Sequence, residues 1–95
     1  MTNYEVIFIL EAALEDEKKE AVIETVKGII AADGEVNKVD VWGIKRLAYP
    51  IRKKNEGYYV LVDFNGTPQL PKELDRRLRI SDVVIRHMII NKEEK

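Results

Sequence analysis

Residues 3–10 alternate with a period of two: Tyr4, Val6, Phe8 and Leu10 share one side, Glu5, Ile7 and Ile9 the other. Both sides are almost wholly apolar, so the strand belongs in the middle of a sheet. The period then changes to that of a helix. Leu14-Glu15-Asp16-Glu17 opens it with acids in the first turn, where the helix dipole favours negative charge. Val22, Val26, Ile29 and Ile30 form one buried stripe. Asp33-Gly34 ends the helix, with Gly34 expected in the left-handed conformation past the cap. A long extended segment runs from about Val36 to Ile51. Val39, Val41, Leu47, Tyr49 and Ile51 share one parity there, and Trp42, Ile44, Arg46 and Ala48 the other. Lys53-Lys54-Asn55-Glu56-Gly57 is a loop of hairpin length leading into the next strand. In that strand Tyr58, Val60, Val62 and Phe64 oppose Tyr59, Leu61 and Asp63. Pro50 lacks a ladder donor, which predicts a sheet edge or a break at that point. After the turn Asn65-Gly66-Thr67-Pro68, Pro71 suits the start of a short helix docked by Leu74 and Leu78. A turn at Ser81-Asp82 precedes a last strand from Val84 to Ile90, and residues 91–95 are expected to fray.

The order β-α-β-β-α-β, with right-handed crossovers, gives an α+β ferredoxin-like sandwich: a four-stranded antiparallel sheet with both helices on one face. Residues 1–95 are expected to form one domain. Two helices leave the other face of the sheet uncovered. By parity that face carries Ile7, Ile9, Trp42, Ile44, Arg46, Tyr59, Leu61, Arg86 and Met88. A solvated sheet face alternates to polar residues, and this one does not. An apolar patch with aromatic, Met and Arg content is the composition of an interface centre. Ile7, Ile9, Trp42, Ile44, Tyr59, Leu61 and Met88 are therefore the candidate protein-partner residues. The competing reading is a homo-oligomeric interaction or ligand-binding domain that uses the same face.

Charge sharpens this picture. The net charge of -1 hides an asymmetry, because residues 1–44 hold 4 basic and 10 acidic side chains while residues 45–95 hold 12 and 7. A polyanion responds to the local field, so the basic half is the candidate nucleic-acid side. With no cysteine there is no disulfide framework and no thiol site. The start lacks the basic-then-apolar pattern of a signal peptide, and a cytoplasmic location is expected.

Catalytic chemistry lacks its parts. His87 is the only histidine, with no cysteine or fixed-spacing carboxylate pair to complete a nucleophile–base couple or a metal site. No catalytic residue, metal or cofactor is expected, and His87 could point to either face if the last strand bulges near Ile85. The RNA-recognition motif shares the element order. Its third-strand signature fails here, where Glu56-Gly57-Tyr58-Tyr59-Val60-Leu61 supplies only the Gly and the first aromatic.

Tyr4-Glu5-Val6, Leu47-Ala48-Tyr49-Pro50-Ile51, Gly57-Tyr58, and Leu78-Arg79-Ile80 followed by Asp82 carry a further signal. With these motifs the chain resembles the bacterial small-subunit ribosomal protein six family, from about residue 3 to residue 91. The resemblance implies the ferredoxin-like fold and a structural role without catalysis. It also implies binding to the central domain of small-subunit ribosomal RNA together with ribosomal protein eighteen. By motif position it makes Lys45, Arg46, Arg79 and Arg86 the expected RNA-binding residues, with Arg52, Lys53 and Lys54 of the hairpin turn as a second tier. Thr2 and Asn3 are not basic, so no phosphate contact is carried to the N-terminus.

Overall fold

The computed structural model describes residues 1–51 and 54–93, with side chains at all of these except 48–51 and 54. Its elements are β1 (Thr2–Glu11), α1 (Asp16–Ala31), β2 (Gly34–Ile51), β3 (Lys54–Gly66), α2 (Leu70–Arg79) and β4 (Val84–Asn91). The strands form one antiparallel sheet in the order β2-β3-β1-β4. β1 and β3 are central, as the doubly apolar β1 requires, and β2, which contains Pro50, is an edge strand.

The core lies between the sheet and the helices. Tyr4, Val6, Phe8 and Leu10 of β1 and Val60, Val62 and Phe64 of β3 meet Val26 and Ile30 of α1 and Leu70, Leu74 and Leu78 of α2. The α2 leucines recur every four residues, so all three fall on one face, and Pro71 occupies its first turn, where its missing N–H is harmless. α1 starts at Asp16 with Asp16 and Glu17 in its first turn. Lys19, an unexpected member of its buried face, lays its stem against the sheet and places Nζ 4.5 Å from the Tyr58 ring centroid, 3.8 Å from Asp16.

β1 and β3 pair without interruption from Thr2↔Gly66 to Glu11↔Gly57, so their parity holds throughout. β2 does not keep one parity. Its pairing with β3 shifts between Val36 and Lys38 and again between Val41 and Gly43. Each bulge sets two residues against one and exchanges the faces. Val39 is packed on the helix-side core as expected, but beyond the second bulge Ile44 pairs with Tyr58 and Arg46 with Glu56. Ile44 and Arg46 thus lie on the helix side, not on the open face, and Leu47 lies on the open face, not in the main core. Tyr49 and Ile51 fall outside the described side chains. Gly43 makes the second bulge possible: its φ of 84° is one that a side chain would strain. Gly34, by contrast, opens β2 and takes no left-handed cap.

The hairpin is also tighter than the composition of 53–57 suggests, because β3 begins at Lys54, which pairs with Ile51. β4 carries one extra residue against β1, where Ile9 faces Arg86 and Leu10 faces Val84. This bulge at Ile85 sends His87 to the helix side, beside Asp75 of α2. Past β4, Lys92 N donates to Asn3 O and Asn3 N donates to Glu93 Oε2. Residues 91–93 are therefore tied to β1, where fraying was expected from 91 onward.

Candidate functional site

The open face has two halves, built from the odd positions of β1 and β3. In the apolar half, Ile9, Leu47 and Ile85 form a second buried cluster with Tyr59 packed against it. Trp42, the extra residue of the β2 bulge, stacks on Tyr59 with ring centroids 6.3 Å apart and planes 16° apart. Lys45 Nζ lies 5.0 Å from the Trp42 centroid. Between this stack and β4 is a shallow hollow of about 250 Å³ lined by Ile7, Ile9, Trp42, Tyr59, Arg86, His87 and Met88. Trp42 is 39% and Met88 48% exposed, so large apolar side chains stand in solvent around a sheltered floor. Gly57 belongs to this floor: a Cβ there would overlap Ile9 Cγ2.

In the polar half, Asp63 of β3 ties together β1, β2 and the residue just past β4. Its Oδ1 accepts from Asn3 Nδ2 at 2.8 Å and from Asn37 Nδ2 at 3.0 Å. Its Oδ2 accepts from Lys92 Nζ at 2.6 Å, and Lys92 also pairs with Glu5 at 3.7 Å. Asn65 links the same group to Glu35 and Asn3. This half satisfies its own polar groups, which leaves the apolar half as the part that lacks a cover. The Lys92 hydrogen bond, followed by that of Asn37, holds the Asp63 carboxyl down to about 2.

The sign of the linkage follows. A carboxylate stronger as an acid in the folded state stabilises the fold above the unfolded value near 4 and loses that contribution as pH falls through 2. The side chain is 19% exposed, so solvent screens it only in part. Asp63→Asn is expected to remove about 1–2 kcal/mol of the stability that the natural chain loses between pH 5 and pH 2. Urea denaturation of both chains across that range measures it, and identical acid profiles would show that Asp63 is not the titrating clasp.

The expected cations do not form one surface. Lys45 and Arg86 border the apolar half of the open face, where Arg86 sits opposite Ile9. Arg46 lies on the other side of the sheet, and Arg79 is in the last turn of α2, donating from Nη2 to Asp75 Oδ2. Lys54 pairs through its backbone, while its side chain and residues Arg52 and Lys53 lie outside the described residues. Of the expected partner residues, Ile7, Ile9, Trp42, Tyr59, Leu61 and Met88 share the open face and Ile44 does not. Leu47, Ile85 and the Asp63 group were missed. The isolated Gly43 within a strand pattern was the available signal for Leu47, because such a glycine marks a bulge. Among the described residues no group of three His, Asp or Glu side chains is placed to hold a metal ion.

Comparison with known proteins gives consistent matches. The chain matches the family model described as Ribosomal protein S6 over residues 3–91. It is 52% identical over 94 residues to small ribosomal subunit protein bS6 of Alkaliphilus oremlandii (strain OhILAs), covering 99% of this chain and 100% of that one. It is 50% identical over 90 residues to the protein of the same name from Clostridioides difficile (strain 630), covering 95% and 98%. The crystal structure of 30S ribosomal protein S6 from Thermotoga maritima superposes with a TM-score of 0.91 at 32% identity, covering 96% of this chain and 87% of that one.

Proposed function

The chain belongs to the ribosomal protein S6 family, and from that premise we propose that it binds the central domain of small-subunit ribosomal RNA together with ribosomal protein eighteen. It is a component of the small ribosomal subunit in the cytoplasm, with a structural and not an enzymatic role. The observation that carries the partner reading is the apolar half of the open face: Ile9, Leu47 and Ile85 beneath the Trp42–Tyr59 stack, on the side without helices. Ile7, Leu61 and Met88 complete the protein contact. RNA is contacted by Arg46 and Arg79 outside this face and by Lys45 and Arg86 at its rim, with the hairpin cations Arg52, Lys53 and Lys54 as further contacts. Protein and RNA then approach different sides and meet at the rim, so each steadies the other.

The test is capture of a transcript of the central domain by the purified chain, with and without ribosomal protein eighteen. Joint capture supports the reading, and a stable RNA-free dimer of the chain favours a homo-oligomeric use of the same face. Tyr59→Ala removes the ring on which Trp42 stacks. It is expected to weaken capture of the protein partner about tenfold, as loss of an aromatic interface anchor does, with the thermal melt of the free chain little changed. Unaltered partner affinity in that variant would displace the contact from the open face.

A further inference from the structure

On the helix side of β4, one carboxylate is shared by two cation-forming groups of different freedom. His87 Nε2 lies 2.6 Å from Asp75 Oδ1, and Arg79 Nη2 donates to Asp75 Oδ2. The His87 side chain is 15% exposed and held between α2 and the sheet, whereas Arg79 is 72% exposed. Among the described residues the ring pairs with Asp75, while the guanidinium can swing into solvent. The charged groups that α2 brings to this side are, among the described residues, Asp75, its partner Arg79, and Lys72, which lines a hollow beside Asp75 with Tyr4 and Ile89. β1 presents Phe8 opposite His87, which carries no charge, and on β4 the neighbours Arg86 and Met88 face the other side of the sheet.

We propose that RNA binding through Arg79 is proton-linked, with His87 taking up a proton when a phosphate draws Arg79 away from Asp75. This rests on the reading of Arg79 as an RNA contact. While Arg79 stays, Asp75 has a permanent cation, and the His87 ring is its second partner through Nε2. When Arg79 moves to the phosphate, Asp75 keeps one partner. A proton from solvent on Nδ1 then makes that partner an imidazolium, which neutralises the carboxylate. The arriving phosphate adds to the same field. His87 is thus a positioning residue that releases the arginine without stranding a carboxylate. The His87 hydrogen bond, ahead of Arg79's charge, already holds the Asp75 carboxyl below its usual range, in keeping with Asp75 remaining ionised throughout. Because histidine changes charge between about pH 5 and 8, linkage requires RNA affinity to rise as pH falls through that interval.

The experiment titrates the full chain with ribosomal protein eighteen onto a transcript of the central domain at pH 8 and pH 6, at constant ionic strength. Affinity is expected to rise roughly threefold at the lower pH beyond that of the His87→Gln variant, the effect of a half-unit change in a histidine's proton affinity. Histidines of the partner cancel in that comparison. Arg79→Gln is expected to weaken binding at both pH values and to lose the same increment. The His87 ring resonances should titrate at higher pH in the complex than in the free chain. Equal pH dependence in the natural chain and His87→Gln overturns the proposal. So does Arg79→Gln that binds weakly yet keeps the increment, with Arg79 still an RNA contact. If Arg79→Gln leaves affinity and salt dependence unchanged, Arg79 is no RNA contact, and that reading falls together with the proton link.

Discussion

Phe8→Ala is expected to destabilise the free chain by about 3–5 kcal/mol, whereas Ile7→Ala, one residue away, should cost less than about 1.5 kcal/mol. Phe8 is wholly buried in the central strand β1, among the side chains of both helices. Alanine there forfeits the burial of the ring and leaves a cavity that two helices and three strands cannot close. Ile7 points to the open face and lines the hollow, so its truncation removes contacts that solvent already interrupts. A domain of this size has about 5–10 kcal/mol in total, so Phe8→Ala should sit close to its unfolding transition in dilute urea. Ile7→Ala should instead show its main loss in capture of the protein partner. Equal destabilisation by the two variants would mean that the faces of β1 are assigned wrongly.

That contrast was legible in the sequence because β1 and β3 run in unbroken register, and alternation reports faces faithfully when nothing interrupts it. The order of elements, the central strands and the docked leucines of α2 were readable for the same reason. β2 was not. Its bulges before Lys38 and Gly43, followed by a third shift between Arg46 and Ile51, break the apparent single parity in which Leu47 seemed equivalent to Val39. Two odd positions, Val39 and Leu47, end on opposite sides of the sheet because the bulge between Val41 and Gly43 lies between them. Lys45, which interrupts the apolar parity, and Gly43 both lay at the place where the exchange occurs.

The candidate site was half legible. Trp42, Tyr59, Ile7, Ile9 and Met88 could be assembled from parity, because Trp42 keeps its side even as the bulged residue. The Asp63 clasp could not, since Asn3, Asn37 and Lys92 come from three other segments and nothing in composition says which amide meets which carboxylate. The cations were chosen by motif position, and Arg46 and Arg86 were grouped on one face by parity. The register shift between Val41 and Gly43 is why they lie on opposite sides of the sheet.

Raising monovalent salt from about 50 to about 200 mM is expected to weaken capture of the central-domain RNA about a hundredfold, the consequence of a log–log slope of roughly -3 to -4. The basis is the 12 basic side chains of residues 45–95 in a chain whose total charge is -1. Arg76 pairs with Glu73, and Lys92 with Asp63 and Glu5, so only part of that charge is directed outward. About 3–5 phosphate contacts remain a reasonable yield, and each releases close to one counterion. The acidic α1 half repels RNA, so the isolated chain should bind weakly and the partner should supply both further charge and a fixed orientation. Arg46→Ala separates the two contributions. Arg46 lies on the side of the sheet away from the Trp42–Tyr59 stack, so the substitution should leave partner affinity intact while lowering the salt slope by about 1 if the guanidinium meets a phosphate. A loss of partner affinity at an unchanged slope would move Arg46 into the protein contact. Tight, salt-insensitive binding of RNA by the isolated chain would refute the electrostatic account altogether, because no arrangement of a few solvent-facing cations resists counterion competition.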